Sequence, residues 1–547
     1  MRRLFYTTSI LMFLAVGLVA IWWTPILWSL VVLVPLFAIG VKDCLQGRQA
    51  VKRNFPVVGN FRYLLEGIRP EINQYFIESN TDGMPFSREF RSVIYQRSKQ
   101  CLDTLPFGTQ REVYDPGYEW LNHSMQPKQA LHPPPRIRIG GPECEKPYES
   151  SLLNISAMSF GSLSKNAILA LNTGAKMGGF AHNTGEGSIS PYHAEPGGDL
   201  IWQIGTGYFG CRDRDGNFDP RTFQERAIDP QVKMIEIKLS QGAKPGHGGI
   251  LPGAKVTEEI ARIRLVPKGQ DVISPPAHRE FSTPAELLLF VQKLRVLSDG
   301  KPIGIKLCLG ARTEFMSLCK AMIEANIHPD YIVVDGGEGG TGAAPLEFSN
   351  SLGTPGLDAL AFVHGALTGC GLRDMIKVGF SGKIATGFHM ARALALGADF
   401  CNAARAFMFS LGCIQALRCN SNHCPVGVAT QDPGLTGGLV VKNKAVRVHH
   451  WHESTVEALL ELIGAAGLEH PDDLRPWHIY RRITRTEVQH YGQIYPQVDP
   501  GIFLEGTPPR GYHFTWTHAS SEKFGHFQNH GSHAAMSEGT HAWPDSE

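Results

Sequence analysis

The chain has 547 residues, of which 43% are hydrophobic and 19% are charged, and its formal net charge is +1. This length suffices for one large domain with extensions or for two to three ordinary domains, and the balanced charge gives no indication of nucleic-acid binding. Eleven cysteines without an even framework of spacings do not indicate a disulfide scaffold, so we expect a reduced, cytoplasmic environment.

Residues 1–42 are predicted to form two transmembrane helices, because no charged residue lies between Leu4 and Val41. A helix needs about 20 apolar residues to cross the hydrocarbon, so spans over 4–23 and 25–41 with a turn at Thr24 and Pro25 fit the segment. Basic residues flank both ends: Arg2, Arg3, Lys42, Arg48, Lys52 and Arg53. This distribution predicts an anchor in the inner (cytoplasmic) membrane, in contact with lipid, with the body of the chain on the cytoplasmic side. A signal peptide would have a shorter apolar region, and a single tilted span would place the body outside.

Residues 43–150 mix short helical patterns with Pro and Gly breaks, and we interpret them as a lead-in helical subdomain. From residue 151 to 435, short apolar runs alternate with helical stretches, which predicts a parallel sheet of the TIM (β/α)8 barrel type. The candidate strands are Leu152–Met158, Phe180–Asn183, Ile201–Ile204, Met234–Leu239, Val272–Ser274, Ile303–Leu307, Tyr331–Val334, Ile376–Phe380 and Ala398–Asn402. Nine runs exceed the eight strands of such a barrel, so one of them is expected to be an insertion or a loop.

Polar and glycine-rich segments follow several of these strands, where barrel enzymes place their functional groups. The segment Asp335–Gly342, DGGEGGTG, offers several unobstructed backbone N–H groups, as a phosphate or an anionic substrate requires. Lys383 follows the next strand and Arg405 follows the last, and barrel phosphate sites are built from these loops. No G-x-G-x-x-G motif in a dinucleotide-binding context occurs, so a mononucleotide is favoured over NADPH or FAD.

Three cysteines, Cys413, Cys419 and Cys424, are spaced C-x5-C-x4-C in the segment 412–431, and Pro425 follows the last. Clustered thiolates select Zn, Cu(I) or iron-sulfur clusters, and the Cys-Pro step favours iron and sulfur. A zinc site with His423 as fourth ligand is the alternative, although structural zinc sites usually have closer Cys pairs. Three thiolates suffice for a cubane lacking one iron, so the favoured cluster is 3Fe-4S.

The cysteine segment, CNSNHCPVGVATQ, resembles the cluster segment of the FMN-binding synthase domain of glutamate synthases. Three further segments resemble the same domain in the same order: KLSQGAKPGHGGILPGAKV (238–256), VISPPAHREF (272–281) and DGGEGGTGAAP (335–345). The resemblance covers roughly residues 150–435 and implies an FMN-dependent oxidoreductase acting on CH–NH2 donors, with an FMN, an iron-sulfur cluster and the barrel fold. Together with the predicted N-terminal anchor, it suggests a stand-alone, membrane-anchored form.

The resemblance implies that Glu186, Lys244 and Arg264 surround a 2-oxoglutarate. A lysine within an apolar strand can stabilise reduced flavin, which suggests Lys306 and Lys238. The predicted catalytic residues are Glu186, Lys244 and Lys306, and the predicted substrate-binding residues are Gln241, Lys244 and Arg264. The predicted cofactor-binding residues are Met158, Ser159, Asn183, Gln203, Lys238, Lys306, Gly339, Gly340, Thr341, Gly342, Gly382, Lys383, Ala404 and Arg405.

Four positions depart from the pattern of the glutamate synthases. Ser381 and Lys383 stand where Asp and Gly are typical, His247 replaces a Glu, and Ile250 stands where a substrate-contacting Gln is expected. An apolar side chain at such a contact can leave a ligand oxygen unpaired, at a cost of about 1–3 kcal/mol. The identity of the oxo acid therefore stays open.

The predicted reaction is the reductive amination of 2-oxoglutarate, or a related 2-oxo acid, to glutamate. Ammonia or an amine would supply nitrogen, and a donor protein such as ferredoxin or a reductase would supply electrons through the cluster. The alternatives are an N-methylglutamate synthase-type transferase, which uses an alkylamine, and a membrane-anchored electron-transfer protein without turnover.

The C-terminal part is predicted to contain a helical cap over 436–506 and a disordered, His-rich tail over 507–547. The tail histidines are His513, His518, His526, His530, His533 and His541. Such a tract can bind metal, but a disordered segment is the interpretation we adopt.

Overall fold

The computed structural model describes residues 1–525, and the chain divides into two compact units, Met1–Arg88 and Glu89 onward. The division therefore groups residues 43–88 with the predicted anchor, whereas residues 89–150 belong to the unit that contains the barrel. The two units are described separately.

The first unit consists of helices. Its elements are α1 (Arg2–Ala20), a 3-10 segment (Thr24–Ser29), α2 (Leu30–Leu45), α3 (Ala50–Asn54), α4 (Gly59–Ile72) and a π turn (Asn73–Ile77). By length and composition, Arg2–Ala20 and Thr24–Leu45 are each able to cross a membrane. A Cβ at Gly40 would clash with the ring of Phe5, so α1 and α2 approach closely.

The second unit begins with α5 (Arg88–Ser98) and is built around strands. The strands are β1 (Glu119–Leu121), β2 (Ile137–Ile139), β3 (Tyr148–Ser150), β4 (Leu153–Ile155), β5 (His182–Asn183), β6 (Leu200–Ile204), β7 (Val232–Lys238), β8 (Ile250–Leu251), β9 (Val272–Ile273), β10 (Ile303–Leu307), β11 (Tyr331–Asp335), β12 (Lys377–Ser381), β13 (Phe400–Ala403), β14 (Ile479–Arg482) and β15 (Val488–His490). Eight of them close a barrel in the order β4-β5-β6-β7-β10-β11-β12-β13, and every neighbouring pair is parallel. The predicted TIM-type barrel is confirmed.

Helices connect and cover these strands. They are α6 (Lys165–Gly178), α7 (Pro191–Ala194), α8 (Pro220–Ala227), α9 (Glu258–Arg264), α10 (Pro284–Leu297), α11 (Arg312–Ala325), α12 (Leu346–Ser351), α13 (Gly356–Gly369), α14 (Gly387–Ala395), α15 (Arg405–Ser410), α16 (Pro433–Thr436), α17 (Val441–Ala465), α18 (Tyr491–Ile494), α19 (Ile502–Glu505) and α20 (Arg510–His518), with 3-10 turns at Gly253–Lys255, Pro471–Asp473 and Pro476–His478. Local sequence fixes their ends: Ser164 caps α6 and Gly179 ends it with a φ of 63°, while Thr283 and Glu286 form a capping box on α10.

The barrel core is apolar because its strands are covered by helices outside and filled by side chains inside. At most 1% of the residue surface is exposed at five core positions, Ile155, Ile237, Ile305, Val333 and Phe400. This two-sided burial explains why the strands appear in the sequence as short continuous apolar runs. One of the nine runs was expected to lie outside the barrel, and the structure shows that it is Val272–Ser274: β9 pairs antiparallel with β8 in a separate hairpin.

A separate sheet joins the lead-in to the C-terminal cap, because β1 pairs with β14, which pairs with β15. Glu119 of β1 accepts hydrogen bonds from Arg481 Nε and Tyr491 Oη, both at 2.7 Å, and also pairs with Arg392. Burial alone would raise the pKa of Glu119, but the two guanidinium groups and the phenol lower it below its usual value.

The tail predicted as disordered from residue 507 contains α20, so this prediction is wrong for Arg510–His518. Lys320 of α11 donates a hydrogen bond to Ala519 O at 3.0 Å, and Phe362 of α13 stacks on Tyr512 at 5.0 Å. These contacts bury part of α20 and stabilise the helix, which could not be predicted from the polar sequence of the tail. The remaining predicted tail histidines, His526, His530, His533 and His541, lie outside the described residues.

Candidate active site

Two lysines mark the mouth of the barrel. Lys238 ends β7 and Lys306 lies in β10, and the parallel register places them directly beside each other. Both are buried, with 7% and 4% of their surface exposed, and buried lysines require partners. Glu186 Oε1 lies 3.0 Å from Lys238 Nζ, and Asp335 Oδ2 lies 3.7 Å from Lys306 Nζ. The predicted lysines are therefore neighbours, each with its own carboxylate.

Glu186 is surrounded by positive charge. Burial would raise the pKa of its carboxyl group, but Lys238, which also donates a hydrogen bond to it, together with Arg264 and Lys244, lowers the pKa below its usual value. Glu186 is consequently ionised at neutral pH. The structure brings together these four predicted residues, which come from three separate segments of the chain.

Arg264 ends α9 and points into the same site. Its Nη2 donates to Phe160 O at 2.9 Å, and its guanidinium lies 5.3 Å from the centre of the Phe209 ring. Burial lowers the pKa of Arg264 to about 10, with Glu186 acting in the opposite direction. Among residues 1–525 its Nε has no hydrogen-bond partner. A buried cation with an unused donor favours an anionic ligand.

Lys244 lies in the loop after β7 and is 1% exposed. Its Nζ donates to Ala343 O at 2.8 Å, which ties the loop to the glycine-rich segment. Burial lowers the pKa of Lys244 to about 8, Glu186 opposes this effect and Lys238 adds to it. Lys244 therefore changes charge near neutral pH, as a general acid or base requires.

Asn183 and Gln203, two predicted cofactor residues, are both bound to Glu236 in the barrel interior. Asn183 Nδ2 and Gln203 Nε2 donate to Glu236 Oε1 at 2.9 and 2.6 Å. Burial raises the pKa of Glu236 against the opposing effect of Lys306, and within the described part of the chain its Oε2 has no partner. Glu236 was not predicted, although its position inside the apolar run MIEIK gives the same signal that identified Lys306.

The glycine-rich segment after β11 faces two cations from the next two loops. Arg405 Nη2 donates to Glu338 O at 2.8 Å, and a Cβ at Gly340 would lie 3.0 Å from the Arg405 side chain. Burial and nearby Arg405 lower the pKa of Lys383, while Glu338 opposes them. Lys383 itself has a φ of 51°. The cradle of glycine backbone and two cations fits a phosphate, because a side chain at Gly340 would fill it.

The other predicted cofactor residues border this region. Met158 is buried, and its backbone N–H donates to Asn183 O at 3.0 Å. A Cβ at Gly185 would lie 3.0 Å from Ser159 N, so these two strand-end loops touch. In the remaining loops, Gly339 N donates to Gly336 O at 2.8 Å and Ala404 is the N-cap of α15.

The other predicted glycine-loop and substrate residues are placed as follows. Thr341 is exposed, a Cβ at Gly382 would meet the Phe380 ring, and Gln241 O accepts a hydrogen bond from Lys244 N at 3.2 Å.

Two residues that sequence reasoning missed connect these loops. Asp335 Oδ2 accepts a hydrogen bond from Gly242 N at 2.8 Å while it faces Lys306. His278 is within hydrogen-bonding distance of Lys238 O (2.9 Å) and Tyr208 Oη (3.1 Å), and burial lowers its pKa to about 4. His278 is thus neutral at physiological pH and positions the end of β7. It lies in VISPPAHREF, a segment that the resemblance marked without assigning a role.

The three predicted cluster cysteines lie close enough to influence one another. Burial raises the pKa of Cys413 to about 12, and Cys419 and Cys424 add to this effect. Burial also raises the pKa of Cys419, with Cys424 reinforcing it and Lys255 opposing it. Across residues 1–525 no preformed group of three or more metal-binding side chains is found. The thiols therefore share one region but require rearrangement and deprotonation to bind metal.

Lys255 is a buried cation at this cysteine segment. Its Nζ donates to Cys419 O at 2.7 Å and to Ser162 O at 3.0 Å, and burial lowers its pKa to about 8 against the effect of Cys419 and Cys424. A positive charge beside soft thiol donors fits a thiolate-bound, negatively charged cluster. A Cβ at Gly342 would lie 3.8 Å from Cys419 O, so the cysteine segment also borders the glycine-rich cradle.

Comparison with known proteins decides the family. The family described as a conserved region in glutamate synthase matches residues 124–469. The glutamate synthase large subunit-like protein YerD of Bacillus subtilis (strain 168) is 41% identical over 489 residues, which covers 82% of this chain and 93% of that protein. The chain belongs to the glutamate synthase family. This membership confirms the predicted enzyme class, an FMN-dependent oxidoreductase of the glutamate synthase type.

Other glutamate synthase relatives are matched over a shorter part. The archaeal glutamate synthase [NADPH] of Methanocaldococcus jannaschii (strain ATCC 43067 / DSM 2661 / JAL-1 / JCM 10045 / NBRC 100440) is 36% identical over 323 residues, which covers 59% of this chain and 60% of the relative. A solved structure of a mandelate oxidase mutant with benzaldehyde is 15% identical in sequence and superimposes with a TM-score of 0.41. The matched region covers 77% of this chain and 98% of the mandelate oxidase chain.

Two of the four departures, His247 and Ile250, lie in a loop beside Glu186. A Cβ at Gly249 would clash with Glu186 Oε1, so the loop that carries His247 and Ile250 packs directly on this carboxylate. Ile250 is half-buried and pairs with Ile273 in the β8-β9 hairpin. His247 lies edge-on to Phe348 at 5.1 Å. An apolar side chain and an imidazole thus lie in the loop at the edge of the site.

Proposed function

We propose that this member of the glutamate synthase family reductively aminates a 2-oxo dicarboxylic acid, 2-oxoglutarate or a close relative, to the corresponding amino acid. The single observation that carries the proposal is the half-buried, ionised Glu186 surrounded by Lys238, Lys244 and Arg264 at the mouth of a parallel barrel. Such a site carries excess positive charge, which suits an acid with two carboxylates.

FMN fits the cradle formed by Gly339, Gly340, Thr341, Lys383 and Arg405, with backbone N–H groups and two cations for its phosphate. We propose that the remaining candidates, Met158, Ser159, Asn183, Gln203, Lys238, Lys306, Gly342, Gly382 and Ala404, complete this site. Bound FMN would supply hydride transfer to the substrate. Lys306, buried and paired with Asp335, would favour the reduced, negatively charged form of such a cofactor.

We propose that Cys413, Cys419 and Cys424 hold an iron-sulfur cluster, of the 3Fe-4S type by ligand number. Such a cluster would supply single electrons, and a donor protein such as ferredoxin or a reductase would deliver them. The support is the mutual proximity of the thiols and the buried cation Lys255 beside two of them.

The side chains of the site have complementary roles in the proposed reaction. Arg264 and protonated Lys244 would bind the carboxylates of the oxo acid, and Lys244, with its pKa near 8, can donate a proton to the carbonyl oxygen that leaves as water. Glu186 has a lowered pKa and is therefore a poor base. It would attract and orient the ammonium or amine that supplies the nitrogen.

We also propose that α1 and Thr24–Leu45 anchor the chain in the cytoplasmic membrane, with lipid as a partner and the catalytic unit on the cytoplasmic side. The support is their length and apolar composition and the basic residues on both flanks. A fusion of a reporter enzyme to either end tests this topology by its activity inside or outside the cell.

Anaerobic reoxidation of the reduced enzyme tests the proposed reaction. The wild-type enzyme is reduced with one equivalent of dithionite and mixed with 2-oxoglutarate and ammonium, and the flavin absorbance and the amino-acid product are followed. Reoxidation that requires both reactants, with glutamate formed in proportion, is the expected result. Reoxidation by neither this pair nor any other 2-oxo dicarboxylic acid with ammonium would refute the proposed reaction.

The departures at His247 and Ile250 define a second arm of this test. Ile250→Gln restores a polar contact beside Glu186, and a regained hydrogen bond to a charged carboxylate contributes about 1.5–3 kcal/mol. If 2-oxoglutarate is the substrate, its KM in this variant falls. If the natural substrate has an apolar group at that position, the substitution instead raises the KM for that substrate. An assay with methylamine and glutamate is the control for the alternative transferase reaction.

A further inference from the structure

The helix α4, Gly59–Ile72, carries an apolar stripe on its outer face. Phe61, Leu64, Leu65, Ile68 and Ile72 follow the spacing i, i+3, i+4, i+7 and i+11, which aligns them along one side of a helix. Phe61 and Leu65 are 67% and 54% exposed, and Leu64 and Ile68 are exposed as well. Four large apolar side chains on one exposed stripe form a surface that soluble proteins usually cover.

The first turns of α4 contact α3 on the face opposite the stripe. A Cβ at Gly59 would lie 2.9 Å from Lys52 Cα, so α4 begins in close contact with α3. The Lys52 ammonium lies 4.7 Å from the centre of the Tyr63 ring. The packed side of α4 is therefore turned toward α3, and the apolar stripe is turned away from it.

A hydrogen-bonded joint fixes where α4 leaves the end of α2. Asp43, in the last turn of α2, is 4% exposed and accepts hydrogen bonds from Val57 N at 3.0 Å and Asn60 Nδ2 at 2.5 Å. The start of α4 is thus tied to the end of the second candidate span. If α2 crosses the bilayer, this joint holds α4 at the level of the lipid headgroups.

The charge around α4 complements an anionic lipid surface. Residues 42–72 contain six basic residues, Lys42, Arg48, Lys52, Arg53, Arg62 and Arg69, against three acidic ones, of which Asp43 is buried in the joint. A helix with a broad apolar stripe and basic flanks lies in the membrane interface plane rather than across it.

We propose that α4 is an in-plane membrane helix whose apolar stripe of Phe61, Leu64, Leu65 and Ile68 is inserted among the lipid headgroups and upper acyl chains. This inference rests on the proposed membrane anchor and extends it: the contact with the bilayer consists of two spanning helices and a third helix lying on the cytoplasmic surface. The occupant of the stripe is lipid, so it is not available to a protein partner.

Depth-dependent fluorescence quenching tests this placement in the full-length protein. A coumarin-bearing amino acid is incorporated at Leu65 on the stripe, at Arg62 on the polar face as a matched control, or at Leu14 in α1. Each protein is reconstituted in vesicles of phosphatidylcholine and phosphatidylglycerol that contain lipids brominated at a shallow or a deep acyl position. Interfacial helices bury their apolar face by about 5–10 Å, so shallow bromines are expected to remove most of the emission at 65 and little at 62.

The three probe positions separate the possible failures. Deep quenching at 14 with no quenching at 65 would leave the anchor intact and overturn the proposal for α4. Quenching at neither 14 nor 65 would overturn both the anchor and the proposal. Emission at 65 that is blue-shifted but insensitive to bromine would show that protein, a second copy included, covers the stripe, which also overturns the proposal.

A second variant keeps the test independent of the probe. Leu65→Glu is expected to accelerate amide hydrogen exchange across 59–72 in vesicles, while Glu66→Gln, on the polar face, leaves the exchange rate nearly unchanged. Equal exchange in both variants would contradict insertion of the stripe.

Discussion

Arg264 provides the sharpest test of how the site binds its substrate. In Arg264→Lys the positive charge stays, but the planar group that donates to Phe160 O at 2.9 Å and lies over Phe209 is lost. The guanidinium also has the Nε that finds no partner within residues 1–525. If these donors bind a substrate carboxylate, the variant loses a charge-assisted hydrogen bond.

The expected magnitude follows from that loss. A hydrogen bond to a charged group contributes about 1.5–3 kcal/mol, and 1.4 kcal/mol corresponds to a factor of ten in affinity. The KM for the oxo acid should therefore rise about 10- to 150-fold, with a smaller change in kcat. Steady-state kinetics with a reduced electron donor measures both constants.

Arg295→Lys is the matched control. Arg295 is equally buried, but it lies beside the start of β11, where it donates to His328 O at 2.6 Å and to Asp330 at 3.1 Å. Both variants should lower the thermal unfolding temperature, whereas only Arg264→Lys should raise KM. A KM within twofold of the wild-type value in Arg264→Lys, or an equal rise in Arg295→Lys, would refute the substrate role.

Three further predictions concern the buried lysines. Lys244 has a pKa of about 8 and is protonated below that pH, so kcat/KM, which reports the free enzyme, should fall as pH rises through about 8; a pH profile of Lys244→Met should lack this fall, and an unchanged profile would contradict the assignment. Lys306→Met removes a cation paired with Asp335 and should make the flavin reduction potential more negative in spectroelectrochemical titration; a potential equal to that of the wild type would exclude Lys306 from the flavin site. Lys255→Met should lower the iron-to-flavin ratio because the charge beside Cys419 is lost, and Lys268→Met, an exposed lysine paired with Glu258, should leave that ratio unchanged.

The barrel could be predicted from the sequence because two-sided burial leaves a strong local signal. Strands such as Ile303–Leu307 were predicted with their observed bounds. The β8-β9 hairpin could not be distinguished from a barrel strand, since Val272–Ser274 has the same apolar composition and only its partner, Ile250–Leu251, places it outside. The pairing of β1 with β14 joins residues about 360 positions apart and leaves no local pattern.

The candidate site was predictable where a charge interrupts an apolar run or where spacing implies a ligand. Lys238 and Lys306 were found in this way. Their carboxylate partners were not all found, because Asp335 acquires its meaning only from strand register, which sets Lys306 beside Lys238. Glu236 was overlooked although it interrupts an apolar run in the same way as Lys306. The neutral His278 gave no signal of its own, since its role depends on burial and on contacts with distant backbone.

The helix α20 is an element that the sequence pattern failed to predict. Its sequence, RGYHFTWTH, begins the polar, His-containing tail that indicated disorder, yet Tyr512 packs on Phe362 and is 7% exposed. Tertiary burial of one aromatic face outweighs weak local helix propensity. Only the structure of the neighbouring α11 and α13 could supply that information.

The most direct test of the central claim is the flavin and iron content of full-length protein purified under strictly anaerobic conditions. The account predicts one FMN per chain, together with inorganic iron and acid-labile sulfide that are lost in a Cys413→Ser, Cys419→Ser and Cys424→Ser triple variant. Folded protein of native thermal stability that contains neither flavin nor iron would contradict it.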